Sequence, residues 1–210
     1  MTLSPDLLAR WRRIPVAVIA DHAPECQIDI AIRPLMPPGR QPPLFGTAMT
    51  ARCAPPDFGA VLRALDLIRP GQVLAIDAGG ESGWAMIGDV LGGHLHRIGA
   101  AGIVCDGAVR DVASLAAMQG LSVYRRHVNP RGPVGGARGQ AGVPVAIGGR
   151  AVRPGDLLIG DDDGLAVLTP DQASALIARC EAKLELEREW IRRLGQDEKL
   201  ADIFGLDATP

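Results

Sequence analysis

Apolar and polar positions change their spacing several times along the chain, and each change predicts an element. Ser4-Pro5 supplies a capping hydroxyl and a proline in the first turn, so "DLLARWRRI" is expected to open as a short helix. The unbroken apolar run "PVAVIA" reads as a first strand. Residues 33–45, "RPLMPPGRQPPLF", hold too many prolines for a regular element and predict an extended edge or surface connection. "GTAMTARC" then alternates as a strand does.

Further on, helical and extended spacing take turns. "FGAVLRALDLI" has helical spacing and stops at "RPG", and "QVLAIDAGG" predicts a strand ending in a glycine turn. A helix over about 88–101, the strand "GIVCD", a helix over about 110–119 and the strand "LSVYR" follow. This alternation predicts an α/β fold with parallel pairing in its middle. Residues 143–169 change to short strands and turns, a β-rich meander. From Pro170-Asp171 a long helix is expected to reach about residue 194, its exposed face mixing Glu with Lys and Arg, and "KLADIFGLD" adds a last turn. The expected organisation is one α/β domain over 1–170 with a helical extension over 171–210, packed on that domain or on a neighbouring subunit.

Composition narrows the function classes. At 210 residues the chain suits one domain with a terminal extension. Lys and Arg number 22 against 24 Asp and Glu, and they are scattered, so the basic stripe of a nucleic-acid binder is missing. Aromatic residues make up only 3%, too few for a base-stacking platform. Cys26, Cys53, Cys105 and Cys180 are far apart, without CxxC spacing, and no secretory signal opens the chain, so reduced thiols in a cytoplasmic protein are expected. Every apolar run is interrupted before membrane-spanning length.

Candidate chemistry lies at strand ends, where α/β sheets gather their ligands. Asp77 to Gly80 follow one predicted strand, "DGAVRD" (106–111) follows the next, and Gly88-Asp89 begin the helix between them. The first amides of that helix, around Gly88, Asp89, Val90 and Leu91, offer unpaired donors to a carboxylate. Arg110 carries a permanent charge able to bind a carboxylate or a developing enolate oxygen. Asp111 can hold a hard divalent cation, which needs only one or two protein carboxylates. Asp89 is a candidate second acid. The plain alternative is that Arg110-Asp111 merely caps a helix, with Asp111 in its first turn.

The order of "RPL...GTAMTA", "AIDAGG", "IGDVLGGHLHRIGAAGIVCDGAVRD" and "GGRAVRPGDLLIGDDDGLAVL" resembles the RraA-like family. That family joins ribonuclease E activity regulator A-like proteins to metal-dependent class II pyruvate aldolases acting on 4-hydroxy-4-methyl-2-oxoglutarate, some under the old label demethylmenaquinone methyltransferase. The resemblance covers about residues 15–170. It implies a β/β/α sandwich of swivelling-domain type, assembled as a homotrimer or hexamer with sites between subunits. It also implies a lyase on small 2-oxo acids, cleaving 4-hydroxy-4-methyl-2-oxoglutarate or decarboxylating oxaloacetate through a pyruvate enolate. In the aldolase branch the position of Arg110 contacts substrate, that of Asp111 binds Mg²⁺ or Mn²⁺, and the amides at Gly88 to Leu91 grip a carboxylate. Two departures stand out. Ser114 occupies a place where many catalytic relatives carry an acid, and the acid those relatives draw from a neighbour's C-terminal helix corresponds here to Glu185, Glu187 or Glu189. The resemblance equally admits a non-catalytic regulator that binds and inhibits ribonuclease E, although the best-known regulator does not keep the Asp after the Arg.

Other motifs carry less. His94 and His96 lie two apart on a predicted helix and point to different sides, so they do not predict a zinc pair. "GDDDG" (160–164) lacks the alternation of a calcium loop and reads as a tight turn. "AGGESG" lacks dinucleotide-binding spacing. "HVNPRGPVGGARG" is Gly-rich and basic, and predicts a mobile loop bordering the site.

Overall fold

The computed structural model describes residues 3–206. Two short helices open the chain, α1 (Pro5–Trp11) and α2 (Val16–His22). Ser4 caps α1 by accepting from the Leu7 amide. The "PVAVIA" run is therefore a helix and not the expected strand. Six apolar residues have no diagnostic period, and packing decided their conformation. As a helix, α2 buries Val16, Val18 and Ile19 in one cluster with Trp11.

A mixed sheet forms the centre. Its strands are β1 (Arg33–Pro34), β2 (Leu44–Arg52), β3 (Val73–Ile87), β4 (Gly102–Val109), β5 (Ser122–Val128), β6 (Gln140–Ala141), β9 (Leu157–Asp161) and β10 (Gly164–Leu168). The order is β1-β5-β4-β3-β2-β9-β10, with β6 added on β2. The four inner strands β5, β4, β3 and β2 run parallel, as the alternation of elements predicts, while β1, β6, β9 and β10 pair antiparallel. Helices α3 (Gly59–Leu67), α4 (Asp89–Arg97) and α5 (Val112–Ala116) pack on one face around Leu74, Ile76, Ile103 and Leu115. The hairpin of β7 (Val145–Ile147) and β8 (Arg150–Val152) packs on the other face around Val73, Val104 and Tyr124. These three layers are the expected β/β/α sandwich.

The long helix α6 (Pro170–Leu194) begins at the predicted proline, under a reciprocal cap between Thr169 and Gln172. Its first half docks on the domain: Ala173, Ile177 and Cys180 are buried, and the Trp11 indole donates to the Ala173 carbonyl at 3.0 Å. A last helix, α7 (Leu200–Phe204), closes on Trp190 through Phe204. Asp207, the end of the predicted final turn, lies outside the described residues.

The strand expected to stop at Gly79-Gly80 does not stop. Asp77 pairs with Asp106, the register slips to Glu81 with Gly107, and after a further slip Ala85 pairs with Ala108 and Ile87 with Val109. Gly79 and Gly80 turn through positive φ, and the strand bulges on both sides of Glu81 before it rejoins β4. This detour decides where the site lies, because it returns Gly88 to the end of β4.

Candidate active site

The resumed pairing ends with the Arg110 amide donating to the Ile87 carbonyl at 3.0 Å. Gly88, the residue before α4, thus lies against Arg110 and Asp111. A Cβ on Gly88 would clash with Asp111 Oδ2 and stand 2.8 Å from Arg110 Cγ and 3.0 Å from Arg110 Nε. Gly88 has ordinary extended backbone, so close approach is what demands a glycine there. Gly132 serves the same end from the opposite side, since a Cβ there would strike Arg110 Nη1. The guanidinium is held between two glycines.

Asp111 does not cap its own helix. Its backbone is left-handed, φ 54 and ψ 42, and its side chain makes no capping bond to α5. The carboxylate reaches across instead, accepting the Asp89 amide of α4 at 3.2 Å and lying 3.3 Å from Arg110 Nε. A left-handed Asp costs on the order of 1 kcal/mol, a strain that a simple cap would not require. The plain capping account is therefore incorrect for the helix it names. With Asp89 engaged, the Val90 and Leu91 amides remain in the first turn without intrahelical acceptors.

Arg110 lines two adjoining cavities. One, of about 350 Å³, has apolar walls from Phe58, Leu62, Met86, Val90, Leu91 and Pro133. The other, of about 420 Å³, is lined by Asp111, Ser114, Val128 and Pro130. The structure thus gathers Gly88, Val90, Leu91, Arg110 and Asp111 at one place, with Ser114 beside the aspartate. Asp89 contributes its amide, but its side chain lines neither cavity. Glu185, Glu187 and Glu189 are not brought there within the protomer, where they pair with Arg188, Lys183 and Arg192 along α6.

A hard divalent cation fits this donor set in a restricted sense. Asp111 keeps one oxygen without a hydrogen bond, and its side chain is 36% exposed toward the second cavity. Among the described residues no group of three His, Cys, Asp or Glu could chelate a metal. An ion at Asp111 would keep most of its coordination for water and substrate oxygens, as Mg²⁺ commonly does.

The glycine-rich segment borders the site as predicted, yet it is pinned and not loose. Buried Asp57 accepts from the amides of Gly59 (2.8 Å), Ala137 (3.1 Å) and Arg138 (3.0 Å), and Arg63 donates to the carbonyls of Ala137, Arg138 and Gly139. The Ala85 amide donates to the Arg131 carbonyl, and the Arg131 guanidinium covers the Trp84 ring. These amide bonds hold the Asp57 carboxyl below the usual carboxylate range, the Gly59 bond first. Sequence reasoning missed Asp57 and the apolar wall. The available signal was "PPDFG", a turn followed at once by helical spacing.

The strand-end aspartates serve structure. Asp77 accepts from the Gly79 and Ala146 amides, and Asp106 from Arg126 Nε (2.5 Å) and the Gly148 amide (2.6 Å). Both clamp the β7–β8 hairpin to the sheet. His94 and His96 engage separate partners, Arg97 and the Gln119 carbonyl, and "GDDDG" is the β9–β10 turn. All four cysteines are free. No helix among the described residues is long and apolar enough to cross a membrane.

Comparison with known proteins agrees with this architecture. A Halalkalibacterium halodurans protein named "Putative 4-hydroxy-4-methyl-2-oxoglutarate aldolase" is 32% identical over 179 residues, 85% of this chain and 83% of its own. A Deinococcus radiodurans protein of the same name is 31% identical, covering 74% of this chain and 94% of its own. Among solved structures, an uncharacterized Pseudomonas syringae protein superposes with a TM-score of 0.83 at 21% identity, over 97% of this chain and 98% of that one, and shows the shared fold. Streptomyces coelicolor RraAS2, described as an unusual member of the RNase ES inhibitor RraA family, superposes at 0.78 with 25% identity, over 91% and 99%. The profile of the RraA-like family, described as Aldolase/RraA, matches residues 16–167, and the chain belongs to that family.

Proposed function

We propose that this chain is a divalent-metal-dependent lyase acting on small 2-oxo acids, working as a homotrimer or hexamer. The observation that carries the reading is the path of Asp111: it leaves its own helix uncapped and joins Arg110 to the N-terminus of α4. Cation, carboxylate and free helix amides then face one pair of cavities. The names of the 31–32% identical relatives support the same class of reaction.

The residues divide the work as follows. The Val90 and Leu91 amides, at the positive end of α4, seat the substrate carboxylate. The Arg110 guanidinium donates to the C2 oxygen, where negative charge develops as the C–C bond breaks. Gly88 and Gly132 fix that guanidinium, so little reorganisation is needed during reaction. The apolar wall excludes water and strengthens each of these interactions. A Mg²⁺ or Mn²⁺ ion at Asp111, when bound, supplies Lewis-acid stabilisation of the same charge. Retro-aldol cleavage and oxaloacetate decarboxylation both pass through a pyruvate enolate, so one site serves both.

Exposed Val90 (76%) and Val128 (53%) line the two cavities of this half-open site, which favours a neighbouring subunit covering it. The test of the lyase reading is oxaloacetate decarboxylation with Mg²⁺ and again after chelation. A metal-dependent rate is expected, and equal rates in both arms would refute the reading. The likeness to RraAS2 supports a second reading, inhibition of ribonuclease E. Stable capture of purified ribonuclease E without any lyase turnover would establish it in place of the first.

A further inference from the structure

The wall of the first cavity specifies its substrate more narrowly than "2-oxo acid". Phe58, Leu62, Met86, Val90, Leu91 and Pro133 offer hydrocarbon, and among the described residues Arg110 is the only charged side chain lining the space. Two other cations on these segments are committed elsewhere. Arg63 spends its guanidinium on three loop carbonyls, and Arg131 lies over Trp84. At about 350 Å³ the cavity exceeds what a pyruvyl unit fills and is in the range of small-ligand pockets.

We infer that, among 4-hydroxy-2-oxo acids, this chain cleaves those whose C4 substituent is an uncharged alkyl or aryl group in preference to those that carry a carboxylate there. The inference rests on the lyase reading. Arg110 is consumed by the C2 oxygen and α4 by the first carboxylate. A second carboxylate at C4 would then enter the apolar cavity with no cation from its own protomer, and burying a charge that its surroundings leave unpaired is strongly unfavourable. An alkyl or phenyl group there gains from the same walls. In the step itself the C3–C4 bond breaks and its electron pair passes through C3 to the C2 oxygen facing Arg110. The C4 hydroxyl loses its proton to solvent and becomes the carbonyl of the departing aldehyde. C3 then takes a proton from solvent, giving pyruvate.

The experiment compares turnover by pyruvate release, with saturating Mg²⁺, from 4-hydroxy-2-oxohexanoate, 4-hydroxy-2-oxo-4-phenylbutanoate and 4-hydroxy-4-methyl-2-oxoglutarate, the last counted as releasing a pair of pyruvates per cleavage. The first two are expected to exceed the dicarboxylate in kcat/KM by about tenfold or more, a modest part of the cost of an unpaired buried charge. Leu62→Arg places a cation in the wall and is expected to move that ratio toward the dicarboxylate by about tenfold. A parental preference for the dicarboxylate overturns the inference and leaves the lyase reading intact. Calorimetric binding of 2-oxo-4-phenylbutanoate against 2-oxoglutarate to the parental protein needs no turnover and no folded variant. Tighter binding of the phenyl compound without cleavage of any substrate sustains the ligand class and refutes the lyase, whereas equal or reversed affinities overturn the inference.

Discussion

Gly88→Ala adds one methyl group and separates site geometry from fold stability. The backbone there is extended, so alanine meets no conformational penalty. Losing glycine before a helix costs about 1 kcal/mol, while the stiffer unfolded chain returns about 0.4–1 kcal/mol, and these nearly cancel. The steric effect remains. Arg110 Cγ, 2.8 Å from the new Cβ, must withdraw by about 0.6 Å to regain ordinary contact at 3.4 Å, and Asp111 Oδ2 must move further. Asp111 Oδ2 ends a partly exposed side chain and can swing away, whereas Arg110 Cγ lies near its backbone and moves only with a shift off its rotamer, so the relaxation costs about 0.5–1.5 kcal/mol. In a chain of 210 residues that lowers Tm by roughly 1–6 °C. Activity responds differently, because a misplacement on the order of 1 Å can cost about a hundredfold. The assay is pyruvate release coupled to lactate dehydrogenase, with melting followed on the same preparation. Expected is a fall in kcat of about a hundredfold with Tm nearly preserved. Parental turnover in a protein that melts slightly lower would show that the Gly88–Arg110–Asp111 contact has no part in catalysis.

Other outcomes test separate links. Asp111→Asn removes the charge that holds a hard cation, so activity should collapse and recover at most partly at high Mg²⁺; parental activity with an unchanged Mg²⁺ dependence would be inconsistent with a metal ligand. Arg110→Lys keeps the charge but loses the planar grip, so metal binding measured by calorimetry should survive while kcat falls by about a hundredfold. Trp11→Ala empties a fully buried site and removes the indole bond to the Ala173 carbonyl, which should cost about 3–5 kcal/mol in urea unfolding, and a loss under 1 kcal/mol would refute the docking of α6. Burial pushes the Cys53 thiol from 9.0 up to about 12 and Cys105 well above 9.0. A thiol raised on folding holds its proton in the native state after the unfolded chain has released it, so stability should decline as pH rises above about 9. Iodoacetamide at pH 8 should label these thiols only slowly until urea is added.

Much of the fold was legible because local chemistry and packing agree there. Thr169-Pro170-Asp171-Gln172 carry their own cap, so the start of α6 could be read without its neighbours. The alternation from β2 to β5 likewise dictated parallel pairing, since each intervening segment buries one face of a helix. "DGAVRD" marked the candidate site by residue type. "PVAVIA" shows where reading fails: its six apolar residues suit either conformation, and contacts with Trp11 and α6, distant in sequence, chose the helix. The detour of β3 past Gly79-Gly80 was equally hidden. A glycine pair is compatible with stopping or bulging, and only renewed pairing of Ala85 and Ile87 with β4 selects the bulge. That long-range pairing brings Gly88 against Arg110, turns Asp111 toward α4, and forms the apolar cavity from segments that sequence separates. The chain's own residues determined which chemistry is present. Contacts between residues far apart in the chain decided where it meets, because their energies do not exist until the sheet is closed.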